Sequence, residues 1–342
     1  MKKIWLFLCF FVCACNKQAI ISSNAQQPKP VILFCSEQHP GQQQFYVVSS
    51  SGEIIRKLSF YPLPENATIL NPTWSRKTSK FFFNVLIGND SEIFSSSWDG
   101  SGAINLTNSP ESYDGEFSLS PDGSQLVYTR AYVGPSLAIL DLKSGKVTPL
   151  LSEQIQATSP VWPEQGKYIF FKSTQNGSPN IYKIRSDGKD ITNISRGQGL
   201  DAFFSVSLDG NLLVFDSDRN GHFQIYIANN KTGSIDPLSQ DSFRNYQPVI
   251  SPNGKYILFL SDRDNSKDIY LYNLATKSIS NITNDPKIQK TGYLWSPDSS
   301  KFLYIGTINN QQDVFVVDID SRNSINITNS PFNEYSAKWL EP

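Results

Sequence analysis

A chain of 342 residues with 13% aromatic and 18% charged residues is long enough to bury a large core and too apolar for a disordered polymer. Its 30 basic and 31 acidic residues leave a net charge of −1, which excludes the basic footprint a nucleic-acid binder needs. No run of like charges offers a clamp for a membrane surface or an acidic polymer.

The N-terminus carries Lys2 and Lys3, then an unbroken apolar run over residues 4–14. That run is too short to cross a bilayer and reads as an export signal. It ends in Val12-Cys13-Ala14-Cys15, which resembles the bacterial lipobox. The resemblance implies cleavage before Cys15 and a diacylglycerol on its thiol. Two or three acyl chains hold a protein firmly, since each buried CH₂ contributes about 0.8 kcal/mol. Residues 1–14 are therefore expected to be a lipoprotein signal peptide, and 15–30 a lipidated N-terminus with a polar, proline-containing tether. Of the four cysteines, Cys9 and Cys13 leave with the signal, and Cys35 remains as a buried, inert thiol on a strand.

From residue 31 onward one pattern recurs: an apolar residue, a Ser-Pro-Asp-Gly-like turn, then an aromatic and β-branched strand. It appears as Leu119-Ser120-Pro121-Asp122-Gly123, Val206-Ser207-Leu208-Asp209-Gly210, Ile250-Ser251-Pro252-Asn253-Gly254 and Trp295-Ser296-Pro297-Asp298-Ser299. Degenerate copies open at Trp74 and Trp162, and a last one at Trp339. A second marker (Thr107, Ser152, Ser195, Ser239, Thr283, Thr328) keeps the same phase, near 44 residues per step. Each unit carries four strand signals. In the unit at Tyr246 they are 247–251, 256–261, 268–274 and 278–283, with a type I turn at Ser251-Pro252-Asn253-Gly254. Four short antiparallel strands per repeat of this length is the pattern of propeller blades.

Residues 31–59 supply three strands without a first, and 336–340 supply a first strand with none after it. Pairing the two closes a ring and removes both sheet edges. The expected fold is all-β: a seven-bladed propeller of four-stranded antiparallel blades over 31–342, its C-terminal strand completing the first blade.

Ser251 to Tyr270 (SPNGKYILFLSDRDNSKDIY) and Ser207 to Tyr226 (SLDGNLLVFDSDRNGHFQIY) resemble the TolB-like, or PD40, propeller repeat, a WD40-like blade. The resemblance covers essentially the whole of 31–340. It implies a cell-envelope binding module, with a place in envelope integrity or transport. TolB proteins carry an α/β domain before a six-bladed propeller and work within the Tol–Pal system. This chain has a tether and seven expected blades instead.

Catalytic chemistry finds little support in the residues. Oligogalacturonate lyases of seven blades use several histidines with a metal, whereas this chain has only His39 and His222. No Gly-x-Ser-x-Gly elbow, Cys-x-x-Cys or His-Glu-x-x-His occurs. The Asp218-Arg219 and Asp262-Arg263 pairs, and the Asp262-x-Asp264 fragment, read as ordered loops rather than a calcium site. The Asn-x-Ser/Thr sites at Asn105, Asn193, Asn281 and Asn326 share one phase of the repeat and follow from the blade pattern.

The better candidates lie where the D–A and B–C loops emerge around the channel mouth. Asp114, Asp201, Asn245, Lys290 and Glu334 stand five residues before each marker. Their shared phase predicts a mostly acidic partial ring, with Arg244, Tyr246 and Tyr335 beside it as hot-spot residue types. The bland alternative is loop capping between blades. The expected function is an envelope lipoprotein, probing the periplasm from the outer membrane as a monomer and binding a protein, peptide or glycan without a cofactor. The alternative is a polysaccharide lyase or hydrolase acting at the channel mouth.

Overall fold

The computed structural model describes residues 30–39, 42–109, 112–132, 134–264 and 266–341. The signal peptide, Cys15 and the tether up to residue 29 lie outside the described residues. The strands form seven four-stranded antiparallel sheets, so the expected propeller architecture is present. Blade 1 is composite: Val31–His39, Gln42–Val48 and Ile54–Leu58 are completed by the C-terminal strand Asn333–Leu340. Blades 2 to 7 follow in chain order, their inner strands at Thr68–Ser75, Tyr113–Leu119, Ala157–Val161, Asp201–Val206, Asn245–Ile250 and Gln289–Trp295. In the closing pair, Ile32 lies opposite Trp339 and Cys35 opposite Tyr335.

Second and third strands read as continuous apolar runs because both their faces are covered by neighbouring blades. Phe81, Phe82 and Phe83 are all buried. Hydrophobic clusters sit between blades rather than within them. Phe170 and Ile181 of blade 4 pack on Leu213, Phe215 and Tyr226 of blade 5. Ile32, Phe34 and Val48 of blade 1 pack on Leu303, Val314 and Val316 of blade 7. Burying one such side chain contributes roughly 1.5–3 kcal/mol, so each interface is cohesive and the ring closes on apolar contact. Outermost strands are two residues in blades 2 and 4 (Ile104–Asn105 and Thr192–Asn193) and three in blades 3, 5, 6 and 7, which leaves little open edge for another chain to pair with.

The Ser-Pro-Asp-Gly turns are fixed by the aspartate. In blade 3 the Ser120 hydroxyl donates to Asp122 Oδ1 at 2.6 Å and the Ser124 amide to the same oxygen at 3.0 Å. Gly123 takes φ +73°, which a side chain resists.

The inner strands differ from their expected form. The blade 6 strand begins at Asn245, two residues earlier than the pattern suggests, because the register slips between Tyr246 and Val249. Every blade has the same slip in the inner pair. In five of them the residue three before the marker has positive φ: Asn71, Ser159, Gln247, Gly292 and Ser336. A bulge adds one residue and re-aims its neighbours. Seven of them in register change what the strands present to the channel.

Candidate loop face and central channel

Asp114, Asp201, Asn245, Lys290 and Glu334 do share one level of the ring. Each pairs with the equivalent second-strand position: Arg130, Ser217, Ser261, Gly306 and Ser36. All five are buried, however, which corrects the expectation that they face a partner. Some of their polar atoms bond inside the ring, while Asp114 Oδ2, Asp201 Oδ2 and Glu334 Oε2 are buried without a hydrogen-bond partner. Asn245 Nδ2 donates to Gln224 Oε1 of the preceding blade at 3.1 Å and to Asp241 Oδ1 at 3.0 Å. Lys290 Nζ donates to Asp268 Oδ1 of blade 6 at 2.5 Å, both side chains fully buried. Glu334 Oε1 accepts from Ser330 at 2.6 Å and Ser36 at 3.1 Å. A chemically varied ring of this kind staples loops to blades, and buried polar groups persist where they are bonded.

The electrostatics follow from burial. Desolvation pushes the Asp114 carboxyl up to about 6 against hydrogen bonds that lower it, and raises Glu334 likewise. At Asp268 burial also works upward. The hydrogen bonds from Lys290 and Ser266 and the ammonium charge outweigh it and hold that carboxyl below the ordinary value.

The Asp-Arg pairs are structural. Arg219 donates to Asp201 Oδ1 at 3.2 Å and lies 4.5 Å over the Tyr226 ring. Arg263 donates to Asp241 Oδ2 at 3.2 Å and Asn245 Oδ1 at 3.0 Å, 4.7 Å over Tyr270. Asp218 and Asp262 accept from the Leu200 and Arg244 amides at 2.7 and 2.9 Å, which orders the D–A loops. Asp264 accepts from the Tyr270 hydroxyl and from Asn281. Asn326 caps its own turn through the Thr328 and Asn329 amides. His222 Nε2 bonds the Asp241 carbonyl at 3.0 Å.

The same end of the sheets also exposes large apolar and aromatic side chains. Tyr113 is 44%, Tyr132 59%, Leu200 40% and Phe243 39% exposed, all at D–A or B–C loops of blades 3, 5 and 6. Arg244 beside Phe243 is exposed, whereas Tyr246 and Tyr335 are half-buried. Of the expected contact residues, only Arg244 is therefore fully presented.

A second feature lies in the channel wall. A cavity of about 400 Å³ is lined by inner strands of blades 1 to 5, including Lys338, Thr73, Glu116, Phe117, Phe203 and Phe204, with Asn84 and Lys172 behind them. Sequence reasoning passed over these residues. A signal was present: Lys338 is the charged member at the position just before the marker, where other units have Thr73, Ser118, Val161, Ser205, Val249 and Leu294.

Comparison with known proteins gives a consistent picture. A family model described as the TolB beta propeller domain matches residues 132–341. The curated "Protein TolB homolog" of Chlorobium luteolum is 30% identical over 120 residues, 35% of this chain and only 27% of that protein's length. Among solved structures, TolB from Acinetobacter baumannii aligns with a TM-score of 0.56 at 16% identity, covering 90% of this chain and 82% of that one. An oligogalacturonate lyase in complex with manganese aligns with a TM-score of 0.69 at 14% identity, covering 85% and 87%. Likeness at these identities establishes the fold and not the activity.

Proposed function

The chain belongs to the TolB beta-propeller domain family, and on that premise we propose that it is a non-catalytic binding platform of the cell envelope, tethered through lipid at Cys15, whose loop face engages a protein partner. The observation that carries this reading is the exposed set Tyr113, Tyr132, Leu200 and Phe243 with Arg244. Aromatics and arginine on loops held rigid from beneath are what dominate protein hot spots. The buried ring supports that rigidity and takes no direct part in contact.

The test is capture from native envelopes with the wild-type chain and with a Tyr132→Ser, Leu200→Ser, Phe243→Ser variant. The variant should stay folded, with a urea midpoint lowered only by the buried parts of Leu200 and Phe243, and should lose the wild type's specific partner. A folded variant that captures the same proteins in the same amounts overturns the loop face. Replacing Asp114, Asp201 and Glu334 instead would report on folding.

A further inference from the structure

The channel cavity has a feature the loop-face reading does not use. Lys338 lines it, and the hydrogen bond of its ammonium is to Thr73 Oγ1 at 3.2 Å. Among the described residues no carboxylate lies within ion-pair distance of it. Burial pushes this lysine down to about 8, as expected of a desolvated cation without a counter-charge. Lys172, on the same wall, donates to the Ala202 carbonyl at 3.1 Å. Glu116 accepts from Ser159 at 2.8 Å, so the wall carries two cations and one anion.

Two further observations point to an occupant. Asn84 is buried, and its amide nitrogen donates to the Asp114 and Gly115 carbonyls at 3.0 Å. Its Oδ1 is buried without a partner, an arrangement that is unfavourable unless something donates to it. Phe203 is 51% exposed within the lining, beside Phe117 and Phe204. Three phenyl rings facing convergent polar groups, in a volume of this order, give the mixed lining that can hold a small molecule.

We propose that the channel cavity binds a small organic carboxylate that also bears a hydrogen-bond donor. The anion sits on Lys338, the donor meets Asn84 Oδ1, and the apolar body lies against Phe117, Phe203 and Phe204. The carboxylate comes either from a free acid or from the C-terminus of a peptide. The site is independent of the loop face, so variants of that face leave it unchanged.

The test is calorimetric titration of the purified full chain with 3-phenyllactate, 3-phenyllactamide, 3-phenylpropionate and the tripeptide Ala-Ala-Phe as free acid and as amide. The acids should bind, and each amide should bind at least about tenfold more weakly, a difference of ~1.4 kcal/mol. Lys338→Met should weaken the acids to the same degree, and loss of the hydroxyl in 3-phenylpropionate should weaken binding by a smaller factor. The better of phenyllactate and the tripeptide acid identifies the source of the carboxylate. Equal binding of acids and amides to the wild type, or no acid binding below about 10 mM, overturns the proposal without reliance on any variant.

Discussion

Replacing Lys290 with methionine should lower the unfolding free energy by about 3–5 kcal/mol, the range found when one member of a buried ion pair is removed. The reason is what remains. Asp268 is fully buried between blades 6 and 7, and its other donors, Ser266 at 2.5 Å, Thr283 at 3.2 Å and Asn281 Nδ2 at 3.3 Å, are all neutral. The deficit should depend on pH. In the wild type Asp268 is held low, so its contribution is present above the ordinary carboxylate pKa of about 4 and is lost as pH falls through its folded value. In the variant the unpaired carboxyl takes up a proton more readily. The gap between the two proteins should then be widest near neutrality and narrow toward pH 4. Adding Asp268→Leu should recover part of the loss, since an apolar pair replaces an orphaned charge. Urea denaturation at several pH values measures all three. A deficit below about 1 kcal/mol, the size of an exposed pair, would mean that Lys290 does not staple the two blades.

Removal of the last strand, residues 333–342, should have the larger effect: loss of the cooperative unfolding transition and conversion to oligomers. Deletion uncovers Leu33 and Cys35, both fully buried against the ring, and leaves Val31–His39 as an unpaired edge. It also strips Trp339 and Ala337 from the blade 7 face formed by Leu303, Val314 and Val316, and breaks the Trp339 bond to the Leu294 carbonyl. A newly open strand edge and an exposed apolar face are the conditions for intermolecular pairing. Gel filtration and urea melts of the truncated chain read the outcome. A monomer with an unchanged midpoint would show that the ring does not depend on its closing strand.

The fold was legible because a propeller writes its period into the chain. Two markers spaced near 44 residues, and fragments at both ends that complete each other, located every blade and the closing pair. The bulges were not legible. They rest on positive φ at Asn71, Ser159, Gln247 and Ser336, where no glycine announces the conformation. The candidate site was half legible. Phase placed Asp114, Asp201, Asn245, Lys290 and Glu334 at one level, but charged and amide side chains read as surface by default. Their burial depends on partners such as Gln224 and Asp268, which the preceding blade contributes and which no local pattern reveals. The Asp-Arg loops behaved as ordinary ordered turns. Lys338 was overlooked because one lysine in an alternating strand looks like a solvated position until the neighbouring inner strands surround it.

The central claim is that the two chain ends share blade 1, and the chain's own thiol offers the most direct test. Cys35 lies opposite Tyr335 in the antiparallel pair, a separation compatible with a disulfide. With Tyr335→Cys introduced and Cys9, Cys13 and Cys15 replaced by serine, mild oxidation of the folded chain should join the Cys35 peptide to the peptide spanning position 335, as read by mass spectrometry. Cys35 recovered as a free thiol, with the new thiol at position 335 open to a solvent reagent, would contradict the closed ring.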